Sequence, residues 1–195
     1  MNSLFNAALE FQNFIKLRNW DFCFIGGLAV IRWGEVRMTR DIDISILADF
    51  GDEEKYIDAM LASFQSRLAD GKRFAMENRV LLVNASNGVP IDIAFAAVPF
   101  EKEMMKRATY FNFAPDCPLL TCSAEDLIVM KAFAARPQDW LDVEGIAARQ
   151  GSALDDTYIF NQLTPLGEIK GDTEIINNVK RIMEPFLKTE HSEPS

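Results

Sequence analysis

The sequence predicts a mixed α/β fold of the α+β kind: a small mixed β-sheet with flanking helices, followed by a helical C-terminal subdomain. Three observations carry this reading. Isoleucines or phenylalanine alternate with polar or small residues at Ile42, Ile44 and Ile46 and again at Ile91, Ile93 and Phe95, the period of a half-buried strand. A helix-period run at Leu4–Leu17 precedes the first strand-like segment and another at Asp52–Leu68 falls between the D-x-D strand and the hairpin, which gives α/β alternation. From Ser123 onward no segment reads strongly as strand. With 195 residues, 49% of them hydrophobic and 25% charged, the chain is long enough for a sizeable core in one or two small domains. We expect a core domain over 1–120, the helical subdomain over 121–188, and a frayed polar tail over 189–195.

Each element has a local signal. Leu4–Leu17 reads as an amphipathic first helix, and Asp21–Ile25 as a short buried strand. Gly26-Gly27 is a turn into a short helix over Leu28–Trp33. Ile42–Ile46 is the next strand, and Asp52–Leu68 a second long helix. Arg79–Val83 and Val89–Phe95 form a hairpin whose turn is signalled by Asn87-Gly88. Glu101–Ala108 is helical. Ser123 with Asp126 starts a further helix in the manner of a capping box, and Pro137 suits the first turn of the one after it. Asp155–Leu163 and Asp172–Leu187 complete the helical part, and no internal repeat or low-complexity tract occurs.

Composition excludes several function classes. No run of eighteen apolar residues exists and the N-terminus lacks a signal pattern, so a cytoplasmic protein without membrane association is expected. Cys23, Cys117 and Cys122 are odd in number and not at zinc spacing, which makes them reduced packing residues. His191, the single histidine, lies in the tail, so histidine triads and zinc hydrolysis are excluded. There is no P-loop lysine motif and no G-x-G-x-x-G.

The segment Ile25–Ile46 concentrates the chemistry. With the isoleucines on one face, Asp41, Asp43 and Ser45 share the other, the two carboxylates rooted roughly 6–7 Å apart. Aspartate is depleted in strands and like charges on one face repel. A hard divalent cation, Mg²⁺ or Mn²⁺, removes that penalty, with carboxylates and substrate phosphates as its ligands. A bare D-x-D is as well explained by a wet strand face; its surroundings favour the metal. Gly26-Gly27, weak evidence alone, offers backbone N–H groups to an anion at a helix start. Asp92 stands opposite the isoleucines of the later strand. If that strand lies beside the first, three carboxylates converge.

Taken together, these residues resemble the nucleotidyltransferase superfamily that includes DNA polymerase β, antibiotic nucleotidyltransferases and the toxins of abortive-infection systems. Gly26-Gly27, the short helix, Asp41, Asp43 and Asp92 match its signature. The likeness is nearer to the AbiEii-like toxin branch and its uncharacterised bacterial relatives, whose G-G-x-A and R-x-T-x-D-I-D segments are matched by Gly26, Gly27 and Ala29 and by Arg37, Thr39, Asp41, Ile42 and Asp43. That branch also has a downstream lysine helix and a following aspartate, similar to Ser123–Lys131 and Arg136–Asp139. The likeness spans about 20–150.

The resemblance implies transfer of an NMP from an NTP to a hydroxyl acceptor. Asp41, Asp43 and Asp92 would be the metal and catalytic residues, with Gly26, Gly27, Arg37, Thr39, Lys131 and Asp139 at the nucleotide. Two cations roughly 3.5–4 Å apart would stabilise both oxygens of an in-line displacement. An NTP substrate, an acceptor and an antitoxin protein are the implied partners. Read from residues alone, Lys131 is the one charge in the apolar run Leu127–Ala135; it either snorkels or pairs with an anion, a phosphate or one of the aspartates. Asp139 either complements a helix dipole or takes part in the site.

The acceptor is less determined. The resemblance favours RNA, tRNA in particular. The net charge of −9 favours a small-molecule or protein acceptor, since nucleic-acid binders usually carry a basic surface. Local basic clusters occur at Arg32/Arg37/Arg40, Lys72/Arg73 and Lys102/Lys106/Arg107. A different class, a non-catalytic nucleotidyltransferase-like binding or regulatory module, is opposed by the presence of all three carboxylates.

Overall fold

The computed structural model describes residues 2–187, so His191 and the expected tail lie outside the described residues. The chain divides into two compact units. The first runs through Leu28 and from Met38 to Cys122; the second comprises Ala29–Arg37 and the chain from Ser123 onward.

The first unit holds one seven-stranded mixed sheet: β1 (Phe22–Phe24), β2 (Ile42–Leu47), β3 (Gln65–Ser66), β4 (Val80–Asn84), β5 (Pro90–Ala96), β6 (Thr109–Asn112) and β7 (Pro118–Thr121), in the order β3-β4-β5-β2-β1-β7-β6. β2 runs parallel to β5 and antiparallel to β1. The period-2 reading holds: Ile42, Ile44, Ile46, Ile91 and Ile93 are fully buried. Each such side chain contributes on the order of 1.5–3 kcal/mol by leaving water. The hairpin is also as expected, with Gly88 at φ 83 in a turn closed by its N–H on Ala85 O at 2.9 Å.

Helix α1 (Ser3–Lys16) is capped by Asn2 and buries Leu4, Phe11 and Ile15. Its Gln12 donates from Nε2 to Pro118 O at 2.7 Å and accepts from Leu120 N at 3.0 Å. This satisfied buried amide fixes α1 against β7. Helix α2 (Gly26–Trp33) begins at the first glycine itself, and the division between units falls inside it. Helix α5 (Pro99–Arg107) completes the predicted set.

One expectation fails. Asp52–Leu68 is not a single helix but α3 (Glu53–Leu61), β3, and the start of a loop into α4 (Gly71–Asn78). The apolar spacing of Ile57, Met60, Leu61, Phe64 and Leu68 mimics a helix face. Phe64 instead turns inward, its ring 4.9 Å from Phe11 and 5.0 Å from Phe14. The backbone after it then pairs with β4 through Gln65↔Asn84 and Ser66↔Val83. β6 and β7 were also unforeseen. β6 is exposed throughout and β7 starts at Pro118, so neither is long enough to show a period.

Arg79 closes the far ends of the central strands. In the left-handed region at φ 55, it donates to Ala48 O at 2.7 Å and Phe95 O at 3.1 Å and forms an ion pair with buried Glu53 at the start of α3.

The second unit is helical: α6 (Ala124–Ala134), α7 (Pro137–Gln150), α8 (Asp156–Lys170) and α9 (Glu174–Leu187). Ser123 caps α6, accepting from Asp126 N at 3.1 Å, and Pro137 opens α7, both as expected. α9 turns Ile175, Val179 and Met183 inward. Arg149 donates to Gly34 O and Gln150 to Trp33 O, each at 2.7 Å, which holds the end of α2 within this unit. All three cysteines are buried free thiols. None of the described helices is long and apolar enough to cross a membrane.

Candidate functional site

In the first unit, β1 delivers Ile25, whose N–H donates to Asp43 O at 3.0 Å. The chain then turns at Gly26, with φ 54, directly into α2. The lack of side chains here is a steric requirement. A Cβ on Gly26 would lie 1.9 Å from Asp43 Oδ2, and one on Gly27 would lie 2.3 Å from Thr39 Oγ1. Bare backbone therefore packs against Asp43, and the Gly27 N–H points at Asp43 Oδ2 at 3.4 Å.

Asp43 lies on β2 in direct register with Asp92 on β5. Paired residues of adjacent strands share a face, so these two carboxylates stand side by side, as the alternation required. Asp41 falls one residue before β2; its Oδ1 is 3.1 Å from the Thr39 hydroxyl. Asp92 forms an ion pair with Arg67. Among the described residues no three acidic, cysteine or histidine side chains stand close enough to hold a metal ion. The donor set nevertheless fits Mg²⁺ or Mn²⁺ in kind, being hard oxygens only, beside a backbone cradle that any Cβ would fill.

The remaining candidates lie in the second unit. Lys131, with a side chain 8% exposed, reaches Asp139 Oδ1 at 2.9 Å and Asp142 Oδ2 at 2.8 Å. Of the alternatives open from sequence, it takes the anion pair with aspartates. Arg37 grips Asp142 with a two-pronged contact, Nε to Oδ1 at 2.9 Å and Nη2 to Oδ2 at 3.0 Å. Arg136 binds Asp139 from Nε at 2.6 Å and from Nη2 at 3.1 Å. Burial pushes the Asp139 carboxyl up, but hydrogen bonds and charge from Arg136 and Lys131 outweigh it and hold the group below the usual carboxylate range. Asp142 behaves alike, burial being outweighed by Arg37 and Lys131. Asp139 also accepts from the Arg136 backbone N–H at 3.2 Å, so it caps α7 as well. Arg37, Gln138, Leu141, Asp142 and Glu144 line a cleft of about 460 Å³.

Two participants were missed from sequence. Asp142 had a signal, since it follows Asp139 by three residues on one helix and so shares its face. Arg67 had none, because the continuous-helix reading of 52–68 gave its side chain no partner.

The fold and the family are shared with known proteins. The crystal structure of an antigenic nucleotidyltransferase-like protein from Paracoccidioides brasiliensis is similar over 90% of this chain and 91% of that one, with a TM-score of 0.53 and 13% identity. That of the lincosamide antibiotic adenylyltransferase LnuA, lincomycin-bound, matches 72% of this chain and 94% of that one, with a TM-score of 0.50 and 12% identity. At such identities the likeness is one of fold, and the fold is that of nucleotidyltransferases. No curated protein matches in sequence. Residues 19–162 match the family model described as nucleotidyl transferase AbiEii toxin, Type IV TA system; the chain belongs to that family.

Proposed function

We propose that the protein transfers a nucleoside monophosphate from an NTP to a hydroxyl acceptor at the acidic face of β2 and β5. The observation that carries this is the register Asp43↔Asp92 against the side-chain-free start of α2. In the reaction the acceptor oxygen bonds to the α-phosphorus as the bond to pyrophosphate breaks. Asp41 and Asp43 would hold a divalent cation, Mg²⁺ or Mn²⁺, which would supply charge to offset that of the triphosphate. Asp92 would either help hold it or take the hydroxyl proton. The amides of Gly26 and Gly27 meet phosphate oxygens, since glycine lets the backbone approach. Thr39, hydrogen-bonded at Asp41, keeps that carboxylate turned to its work.

In the second unit, Arg37, 35% exposed at its side chain, is, beside the 72% exposed Arg136, a cation a phosphate can reach. Lys131, Asp139 and Asp142 keep it in place. Three cations, Arg37, Lys131 and Arg136, face Asp139 and Asp142 there, with Glu35 and Glu144 also on the cleft wall.

For the acceptor we favour RNA, tRNA in particular, on the family's resemblance. A small-molecule acceptor is the second reading, favoured by the −9 net charge. We also propose an antitoxin protein as partner and action in the cytoplasm, a reading supported by the toxin family the chain belongs to.

The test is transfer of label from α-labelled NTPs onto RNA, protein or metabolite pools, with and without Mg²⁺. Asp41→Asn and Asp43→Asn should each lower Mg²⁺-dependent transfer by about 100-fold or more with no loss of melting temperature, because removing one charge relieves repulsion and opens no cavity. Undiminished transfer in either variant would remove the carboxylates from the mechanism.

A further inference from the structure

One row of residues crosses four neighbouring strands at the level of the acidic pair. Arg67 N donates to Leu82 O at 3.0 Å, Leu82 pairs with Asp92, and Asp92 pairs with Asp43. Arg67, just past the end of β3, thereby has its backbone fixed two strands away from Asp92, and its guanidinium reaches across β4 to Asp92 Oδ1. Two adjacent carboxylates without a cation repel. Arg67 is a cation that relieves this on the Asp92 side in the protein alone.

Exposure decides whether such a cation is permanent. The Arg67 and Asp92 side chains are 29% and 35% exposed, against 8% and 1% for Lys131 and Asp139. A water-accessible ion pair holds only weakly, whereas breaking a buried one leaves a stranded charge. The Arg67–Asp92 pair is thus the exchangeable one. Resting on the reading of Asp41, Asp43 and Asp92 as cation ligands, we propose that Arg67 is the resident counter-ion of Asp92, displaced when a divalent cation binds. Its planar fork suits a carboxylate, and its flexible stem lets it leave without moving the backbone bond to Leu82. Arg67 therefore competes with the metal and sets its affinity.

The experiment is calorimetric titration of MnCl₂ into the full chain without nucleotide. Arg67→Gln should bind Mn²⁺ about threefold to fivefold tighter than wild type, the worth of the exposed pair it loses, and should gain more melting temperature from Mn²⁺. Equal or weaker binding in a folded Arg67→Gln protein overturns the proposal. Should that variant fail to fold, Arg67→Lys, a cation without the fork, carries the test: about twofold tighter binding supports it and equal binding overturns it. Asp43→Asn separates the two layers of argument. Loss of Mn²⁺ binding there upholds the carboxylate reading whatever Arg67 does; binding unchanged from wild type refutes that reading and the counter-ion role with it.

Discussion

Asp139 and Asp142 are ionised side chains with almost no water, 1% and 3% exposed. Such charges persist only when each is paired and hydrogen-bonded. Lys131 serves both, so its loss reaches beyond any contact with a ligand. Lys131→Met, matched in length and helix propensity, should destabilise the fold by about 3 kcal/mol, the lower end for a broken buried pair, since Arg37 and Arg136 still bind the two carboxylates. Chemical denaturation at neutral pH reads this directly, and an unchanged midpoint would mean that Lys131 is dispensable to the fold. The pH dependence has a fixed sign. Both carboxyls are held below their ordinary range, so their contribution is complete above that range and is lost as the pH falls through the lowered values. Wild type should therefore lose midpoint steeply in acid. An Asp142→Asn protein should lose less over the same interval.

At the level of elements, the start of α2 is the tightest point. Gly27→Ala places a methyl 2.3 Å from the Thr39 hydroxyl, so Thr39 or the helix must shift. We expect a cost of about 1–3 kcal/mol, the range for overpacking, and nucleotide transfer reduced more than stability, because Thr39 also holds Asp41. Retained full activity in Gly27→Ala would show the close approach to be incidental. The sequence made β2 and β5 legible because six- and seven-residue strands with one buried face carry a clear period; that period put Asp43 and Asp92 opposite the isoleucines of their own strands, and the adjacency of β2 and β5 brings the two together. What stayed hidden has physical causes. Phe64 satisfies a helical spacing while serving the sheet-side core, which concealed β3 and with it Arg67. β6 has no buried face to betray it. The partners of Lys131 needed knowledge of how α6 and α7 fold back, which a run of apolar residues does not encode.

For the molecule as a whole, the acidic balance bears on the acceptor. Of the arginines near the D-x-D, Arg37 is committed to Asp142 and Arg32 lies 3.9 Å from the centre of the Trp33 ring, whereas Arg40 is exposed. If RNA is the acceptor, its affinity should fall steeply with salt, and Arg40→Gln should flatten the logarithmic slope by about one unit. Absence of RNA binding at low salt, with Mg²⁺ and nucleotide present, would shift the assignment to a small or protein acceptor.

The helical unit is discontinuous in the chain, since Ala29–Arg37 belongs with the segment after Ser123. That has a consequence in time. Arg37 and Asp142 are 105 residues apart, and at synthesis rates of about 5–20 residues per second Arg37 precedes its partner by roughly 5–20 s. By the time the strands through β7 have all been made, Arg37 and the carbonyls of Trp33 and Gly34 still await Asp142, Gln150 and Arg149. The sheet-bearing unit can therefore order before the other is complete. A nascent chain halted after β7 would keep all three candidate metal carboxylates and leave Arg37 without the aspartate that grips it.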